Sequence, residues 1–330
     1  MAKMINTSNF PDFVANSTIN FRRAYDQYPK RAAQVYDIEN TDLYTGTESS
    51  LDGFSVAKIK KQGSDFSYLD VAQGDSKTWT QYEVGGMTKI TWMMRRTNKY
   101  SEMNKKISNL GASAAKRMEW DLTHRLTEAD STSYTNIDGD TVSTTTGDGF
   151  QLAYSAHTVT SGDTYRNRVA NNPVLSKGGL EAAEKLFATQ MIDANGELIL
   201  SEPDTIITSN DPNTVNTALE YLRSVSAPDA GVSGVENVYK GKYRLLVLPW
   251  LATTPSTGAY NSSDAKFWFL ADLKHTDAIC KVLQNPTFIA PTEGGKEFET
   301  QDWKFACHAA YAIEIVRASW IVFSSGDGTA

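Results

Sequence analysis

The sequence predicts an α+β fold, and three observations carry that expectation. Residues 101–129 hold no proline and one glycine, and Met103, Ile107, Leu110, Ala114, Met118, Leu122 and Leu126 recur in steps of three and four. That spacing is one face of a helix, roughly 43 Å long at 1.5 Å per residue. Residues 303–315 alternate instead: Trp303, Phe305, Cys307, Ala309, Tyr311, Ile313 and Ile315 on one side, smaller or polar residues on the other. Two faces so unequal in bulk read as a long strand packed on a layer, with the long helix as that layer. Between these elements, residues 174–284 pass repeatedly from helix to strand patterns, which reads as a small mixed sheet with helices against it.

The 330 residues suffice for a full core and suggest about two domains, and 40% hydrophobic content is that of a folded chain. The formal charge of −7 is unevenly spread: residues 1–118 carry a net +5 and residues 119–330 a net −12. An acidic chain is poorly suited to sequence-independent nucleic-acid binding. A basic front and an acidic back suit copies that pack head to tail. Two cysteines, Cys280 and Cys307, make no disulfide framework and point to a reducing compartment. The first residues lack the apolar run of a signal peptide, and no apolar segment approaches the length of a membrane span.

In chain order, residues 1–42 read as an arm with a short helix at 17–28. Its apolar residues are too sparse to close a core, so it is either loose or ordered by packing on something else. No charged extension or heptad pattern precedes residue 40, so the expectation is a subunit without a fused scaffold. Residues 43–97 read as a long two-stranded excursion, with alternating runs at 54–61 and 89–96 around a glycine-rich polar tip. Such a hairpin is marginal alone and needs a neighbour. Within the long helix, Gly111, Ser113, Ala114 and Ala115 leave the middle thin enough for another layer to approach. Arg117, Asp121 and Arg125, spaced i, i+4, read as a solvated face. Residues 131–149 form a surface loop or weak hairpin. Next come a helix at 176–190, a strand at 204–209, a helix from Asp211-Pro212 to Arg223, and strands at 243–250 and 266–271. Residues 227–241 and 252–264 are loops between them. The alternation of 303–315 breaks near Arg317, a buried strand follows at 320–323, and the tail from 324 is polar.

Chemistry-bearing motifs are absent. His124, His157, His275 and His308 share no metal-ligand spacing, and there is no CxxC pair, so no metal site is assigned. His308 reads as a structural histidine, and Cys307, on the bulky face of its strand, as an inert thiol. Gly147-Asp-Gly149 reads as a turn rather than a phosphate cradle, and no nucleophile elbow occurs. The basic stretch 89–106 reads as a strand edge and a helix start. No catalytic, cofactor-binding or metal residue is therefore expected, and no cofactor. A carboxylate pair of a carbohydrate-active enzyme would be spatial and invisible in sequence, so that reading stays open.

Several segments, in order and rough spacing from residue 148 onward, resemble the major head subunits of Mu-like phages. They are Asp148-Gly-Phe-Gln-Leu-Ala-Tyr-Ser-Ala-His157, Asn171-Asn-Pro-Val-Leu-Ser-Lys-Gly-Gly-Leu-Glu-Ala-Ala-Glu184, Gln190-Met-Ile-Asp-Ala-Asn-Gly196, Phe267-Trp-Phe-Leu-Ala-Asp272, Asp302-x-Lys-Phe305 and Arg317-x-x-Trp320. Before residue 148 the likeness is to the architecture of tailed-bacteriophage major capsid proteins. The resemblance implies the HK-97-like capsid fold: an N-terminal arm (1–42), an extended E-loop (43–97), a P domain (98–167) with spine helix 101–129, an A domain (168–284), and returning P-domain strands with the C-terminal tail (285–330). It implies self-assembly into hexamers and pentamers of an icosahedral shell around phage dsDNA, held without sequence-specific contacts. The partners it implies are portal, separate scaffold and decoration proteins, with no membrane. The virion is the expected location, after assembly in the host bacterial cytoplasm. Some relatives cross-link a loop lysine to a neighbour's asparagine, and Lys58, Lys60, Lys61 and Lys77 lie in the corresponding excursion, with no partner asparagine assigned. The same fold builds encapsulin compartments, the alternative within this class.

Overall fold

The computed structural model describes residues 10–69, 71–228, 235–291 and 299–328. Expectations that fall on 1–9 of the arm, 229–234 of the 227–241 loop and 329–330 of the tail lie outside these residues. The chain opens on α1 (Phe10–Gln27), longer than the helix expected at 17–28. Its Phe10, Phe13 and Phe21 are buried with Ile90, Met103, Ile107, Trp303 and Phe305. The arm is thus ordered by its own chain. Three phenylalanines look sparse until partners far along the sequence are added, and each buried ring contributes about 1.5–3 kcal/mol.

After α1 come β1 (Asp37–Asn40), β2 (Thr45–Phe54), β3 (Val71–Thr80) and β4 (Tyr82–Ile90). Strands β2 and β3 form the hairpin, Thr45 opposite Thr80 and Phe54 opposite Val71. The expected strands at 54–61 and 89–96 are therefore corrected. Residues 55–61 are not a strand, and the second run splits into the end of β4 and α2 (Trp92–Arg96). The cause is Thr91, whose hydroxyl accepts from the Met94 amide and starts a helix. Three alternating residues (Ile90, Trp92, Met94) are too few to outweigh a cap.

The long helix α3 spans Tyr100–Thr127. Met103, Ile107, Leu110, Leu122 and Leu126 are buried, while Ala114 and Met118 are half-buried. A Cβ at Gly111 would overlap the carbonyl oxygen of Phe21, so α1 crosses α3 with almost no gap. From Glu119 to Thr127 every residue is buried. The solvated face expected at Arg117, Asp121 and Arg125 is corrected accordingly: Asp121 and Arg125 are buried and Arg117 is half-buried.

Beyond α3, β5 (Ser133–Thr135) and β6 (Thr141–Ser143) make a small hairpin, and β7 (His157–Thr158) pairs with β8 (Thr164–Tyr165). Helix α4 (Lys177–Thr189) starts at Ser176, whose hydroxyl accepts from Gly179 N. Then follow β9 (Thr205–Thr208), α5 (Pro212–Arg223) capped by Asp211, β10 (Arg244–Val247), β11 (Trp268–Ala271), β12 (Ala278–Ile289), β13 (Trp303–Ile315) and β14 (Ile321–Ser324).

Two four-stranded sheets organise these elements. The first runs β1-β12-β13-β4, with β1 parallel to β12 and the other pairs antiparallel. The second runs β10-β9-β11-β14, with only β10 and β9 parallel. Strand β12 crosses residue 284 and β14 completes the second sheet, so the sheets interleave along the chain. The alternating bulky residues of β13 lie under α1 and α3, as their periodicity demands. A large core under the C-terminal half of α3 joins the sheets through Leu122, Leu126, Phe269, Tyr311, Trp320 and Phe323. A second core packs α4 and α5 on the far face of the second sheet, with Leu180, Phe187, Leu222, Trp268 and Leu270.

Candidate assembly surfaces

The hairpin has a fixed base and an exposed end. At the base, Trp79 is buried with Ile279, Ala312 and Val316, and a Cβ at Gly46 would overlap its ring. Polar contacts do the rest. Lys77 Nζ donates to Thr145 Oγ1 at 2.9 Å and lies 3.9 Å from the Glu314 carboxylate. Lys281 Nζ lies 2.5 Å from Glu39 and 3.0 Å from Glu48. Arg317 Nη2 donates to Ser50 Oγ at 3.1 Å, and Thr160 Oγ1 to Gln73 O at 2.9 Å. Burial pushes the Lys77 amine down, with Glu314 opposing.

The other end is apolar and bare. Phe54, Val56, Ile59, Phe66 and Tyr68 are between 61% and 98% exposed. The polar tip expected from the glycines is thus corrected: the sequence run 54–68 interleaves these rings and aliphatic chains with lysines. Val56 N donates to Glu197 Oε1 at 3.3 Å, and Lys60 Nζ lies 4.0 Å from the Phe66 ring centre. Burying each such side chain is worth about 1.5–3 kcal/mol, which only another surface can supply. Lys58, Lys60 and Lys61 stand exposed here, whereas Lys77 is built into the base.

Beneath, a buried polar network fixes α3 on the first sheet. The Asp121 carboxylate accepts from Tyr311 Oη at 2.6 Å, Tyr82 Oη at 3.3 Å and Arg117 Nε at 2.9 Å. Arg117 Nη1 also lies 2.6 Å from Asp138. Arg125 Nη2 donates to Ile313 O at 2.7 Å and to Glu314 Oε1 at 3.3 Å, and Nη1 donates to Ser143 O. Burial pushes the Glu314 carboxyl up, while Arg125 and Lys77 hold it back. Lys77, Glu314 and Arg125 thus run from hairpin to sheet to helix.

Two of the histidines, His124 and His157, are buried. His157 is fully buried, with Nδ1 2.7 Å from Asp148 Oδ2 and Nε2 3.2 Å from Leu152 O. Burial alone would push the Asp148 carboxyl up, but the hydrogen bonds it accepts from His157, Thr146 and Phe150 together hold it low. Reading Gly147-Asp-Gly149 as a turn missed this pair, for which the sequence carries no signal. His124 is buried with Nδ1 2.8 Å from Trp120 O, and burial pushes its pKa down to about 4 against the backbone hydrogen bonds. His308 lies 3.5 Å from Glu83 on the outer side of β13. Burial pushes both thiols up, Cys280 to about 12. Among the described residues, no three His, Cys, Asp or Glu side chains gather to hold a metal, and no helix is long and apolar enough to cross a membrane.

An α+β body whose hairpin ends in exposed apolar side chains has the form of an assembly subunit. Residues 75–322 match the model of the phage capsid protein family, and the chain belongs to that family. No curated sequence matches it. Among solved structures, the capsid of cyanophage P-SCSP1u is similar over 90% of this chain and 88% of that one, at 12% identity and a TM-score of 0.52. The mature capsid of bacteriophage PhiM1 is similar over 90% and 87%, at 11% identity and 0.51. A virus-like particle from Pyrococcus furiosus aligns over 94% and 98%, at 11% identity and 0.48. The fold is the HK-97-like α+β capsid fold, and the role is that of a bacteriophage major capsid protein, a structural component of the icosahedral shell.

Proposed function

We propose that this subunit assembles into hexamers and pentamers that close an icosahedral shell around a dsDNA genome, in the cytoplasm of a bacterial host. Residues 1–42 serve as its arm and 43–97 as its E-loop. Residues 98–167 with 285–330 form the P domain, and 168–284 the A domain. The genome is held without sequence-specific contacts. A portal, a separate scaffold and decoration proteins act with it. The ordered segments from Asp148 to Trp320 support a place among the head subunits of Mu-like phages.

The observation that carries the reading is the hairpin end: five large apolar residues, 61–98% exposed, on an arm whose base is fixed. A lone soluble chain gains nothing from presenting them; a copy laid against them removes their apolar surface from water. Negative-stain microscopy of the purified full chain tests this, and closed shells are the expected result. A monodisperse monomer that binds or cleaves a glycan would replace this reading with the enzyme. Duplex DNA inside particles from infected cells is expected; cargo enzymes in its place would make the shell an encapsulin compartment.

A further inference from the structure

Two short segments of this chain carry opposite charge, and each presents bare apolar side chains from a fixed backbone. Residues 89–99 hold four Lys and Arg and no acidic residue; residues 190–204 hold four Asp and Glu and no basic residue. In the first, Trp92 is 47% and Met93 59% exposed; in the second, Leu198 is 58% and Leu200 96% exposed. Helix α2, with five residues, is too short to hold itself. Other parts of the chain hold it. Trp92 N donates to Asp302 Oδ1 at 3.0 Å, and Met94 packs into the core under α1. The Arg95 guanidinium lies 4.3 Å from the Trp303 ring centre. Trp92 and Met93 are thus left as a knob on a rigid base.

The acidic segment is equally fixed. Asp193 N donates to Glu197 O at 2.8 Å and Ile199 N to Met191 O at 2.9 Å, and Met191 is fully buried. Ser201 Oγ and Glu202 N both donate to Asp272 Oδ2, at 2.9 and 3.3 Å. Leu198 and Leu200 border a cleft of about 460 Å³, which His275, Asp277 and Trp320 also line. Arg317 lines it too, but its Nη2 donates to Ser50 Oγ. Knob and cleft cannot meet within one chain. The knob stands at the Trp303 end of β13, where Ile90 pairs with Trp303, and the cleft lies beyond the Ile315 end. The 13 residues of that strand separate them by roughly 40 Å at 3.3 Å per residue.

We propose that Trp92 and Met93 of one copy seat in the Leu198–Leu200 cleft of the next, with Arg96 set against Glu202. The inference rests on the reading of the chain as a shell subunit and adds a contact between copies apart from the hairpin end. Tryptophan, methionine and arginine are the residues that anchor protein interfaces, and leucines beside carboxylates complement them in both polarity and sign. Lys89 lies 3.8 Å from Asp302 and Lys99 3.2 Å from Glu102. Arg96 and Glu202, both exposed, have no oppositely charged partner among the described residues. A second copy of this chain is the occupant, because both halves of the contact stand on one molecule and face opposite ends of it. The contact is therefore heterologous: each copy offers one knob and one cleft, and the pairing repeats from copy to copy.

The test is cross-linking of purified full chains with a short bismaleimide, read on denaturing gels, with microscopy of the same samples. Both native thiols are buried, so the introduced cysteines are the ones that react. A mixture of M93C and L200C chains should give a covalent dimer, and either chain alone should give none. Dimer from M93C alone would make the contact isologous and overturn the proposal. So would dimer from M93C with L43C but not with L200C, which would move the partner to the acidic stretch 37–44. No dimer in any mixture overturns it as well. The second measurement is the critical concentration for shells. W92S/M93S should raise it about tenfold, and L198S/L200S by the same factor, with the melting of the exposed-site variants unchanged. The variant carrying all four substitutions should also stop at about tenfold, because one contact is lost only once. A rise of about a hundredfold, the product expected of two independent surfaces, overturns the proposal, and so does no rise in either pair variant. Absence of shells from the wild type would sink the shell reading, while the cross-link needs only two copies and still decides this one.

Discussion

Arg125 lies in the seam between α3 and β13, tied to the Ile313 carbonyl and the Glu314 carboxylate, with both side chains largely shielded from water. Removing one member of such a pair strands the other charge, and the cost is about 3–5 kcal/mol. Arg125→Ala should lower the unfolding free energy by that amount in a denaturant titration, and Arg125→Met with Glu314→Gln should lose less. Equal losses would show that the charge of Glu314 is not the issue. The sequence could not place this pair. Charged residues at i, i+4 look the same on a wet face and in a buried network, and only β13 overhead decides between them. Asp264 offers a pH-dependent counterpart. Burial, then the charges of Glu128 and Asp130, push its carboxyl from 3.8 up to about 6. A raised folded-state value means its stabilising contribution is complete below about pH 4 and is lost as pH rises through about 6. Asp264→Asn should therefore melt higher than the wild type at pH 7.5, by on the order of 1 kcal/mol after solvent screening, with no gap near pH 4. A less stable variant at pH 7.5 would contradict this.

At the scale of elements, the α1–α3 crossing turns on one atom that is missing. Glycine inside a helix ordinarily costs about 1 kcal/mol against alanine. At Gly111 the sign should reverse, because the new methyl would meet the Phe21 carbonyl and force the helices apart. Gly111→Ala is expected to destabilise by about 1–3 kcal/mol and to speed amide exchange across residues 10–27. A stabilised variant would place α1 farther from α3. The thin middle of α3 was legible in Gly111, Ser113, Ala114 and Ala115; what approaches it was not, because the partners of the α1 phenylalanines, Trp303 and Phe305, lie far along the chain. The long helix and β13 were readable because each repeats its period over more than a dozen residues. Strand β2 was not: Thr45–Phe54 is largely polar, and its pairing with β3 is set by Trp79 seating over Gly46 on the sheet below.

For the whole molecule, stability and assembly should separate. Ile59 is 96% and Phe66 79% exposed, so replacing both with Ser should leave the melting of the subunit within about 0.5 kcal/mol of the wild type. The same variant should form fewer closed shells at equal concentration, counted by microscopy. Wild-type shell yield would mean that the hairpin end carries no contact between copies. The order of strands has a further consequence, in time rather than in space. Strand β13 lies between β12 and β4, yet it follows the hairpin and the long helix in sequence and so leaves the ribosome after them. Nascent chains on one messenger are crowded close together, where a finished apolar hairpin would invite premature association. Here the bed on which that hairpin sits, Ala312 and Val316 beneath Trp79, does not exist until β13 and the residues just after it have been made. Synthesis from the N-terminus thus orders the events, since the hairpin gains its base only after β13 emerges.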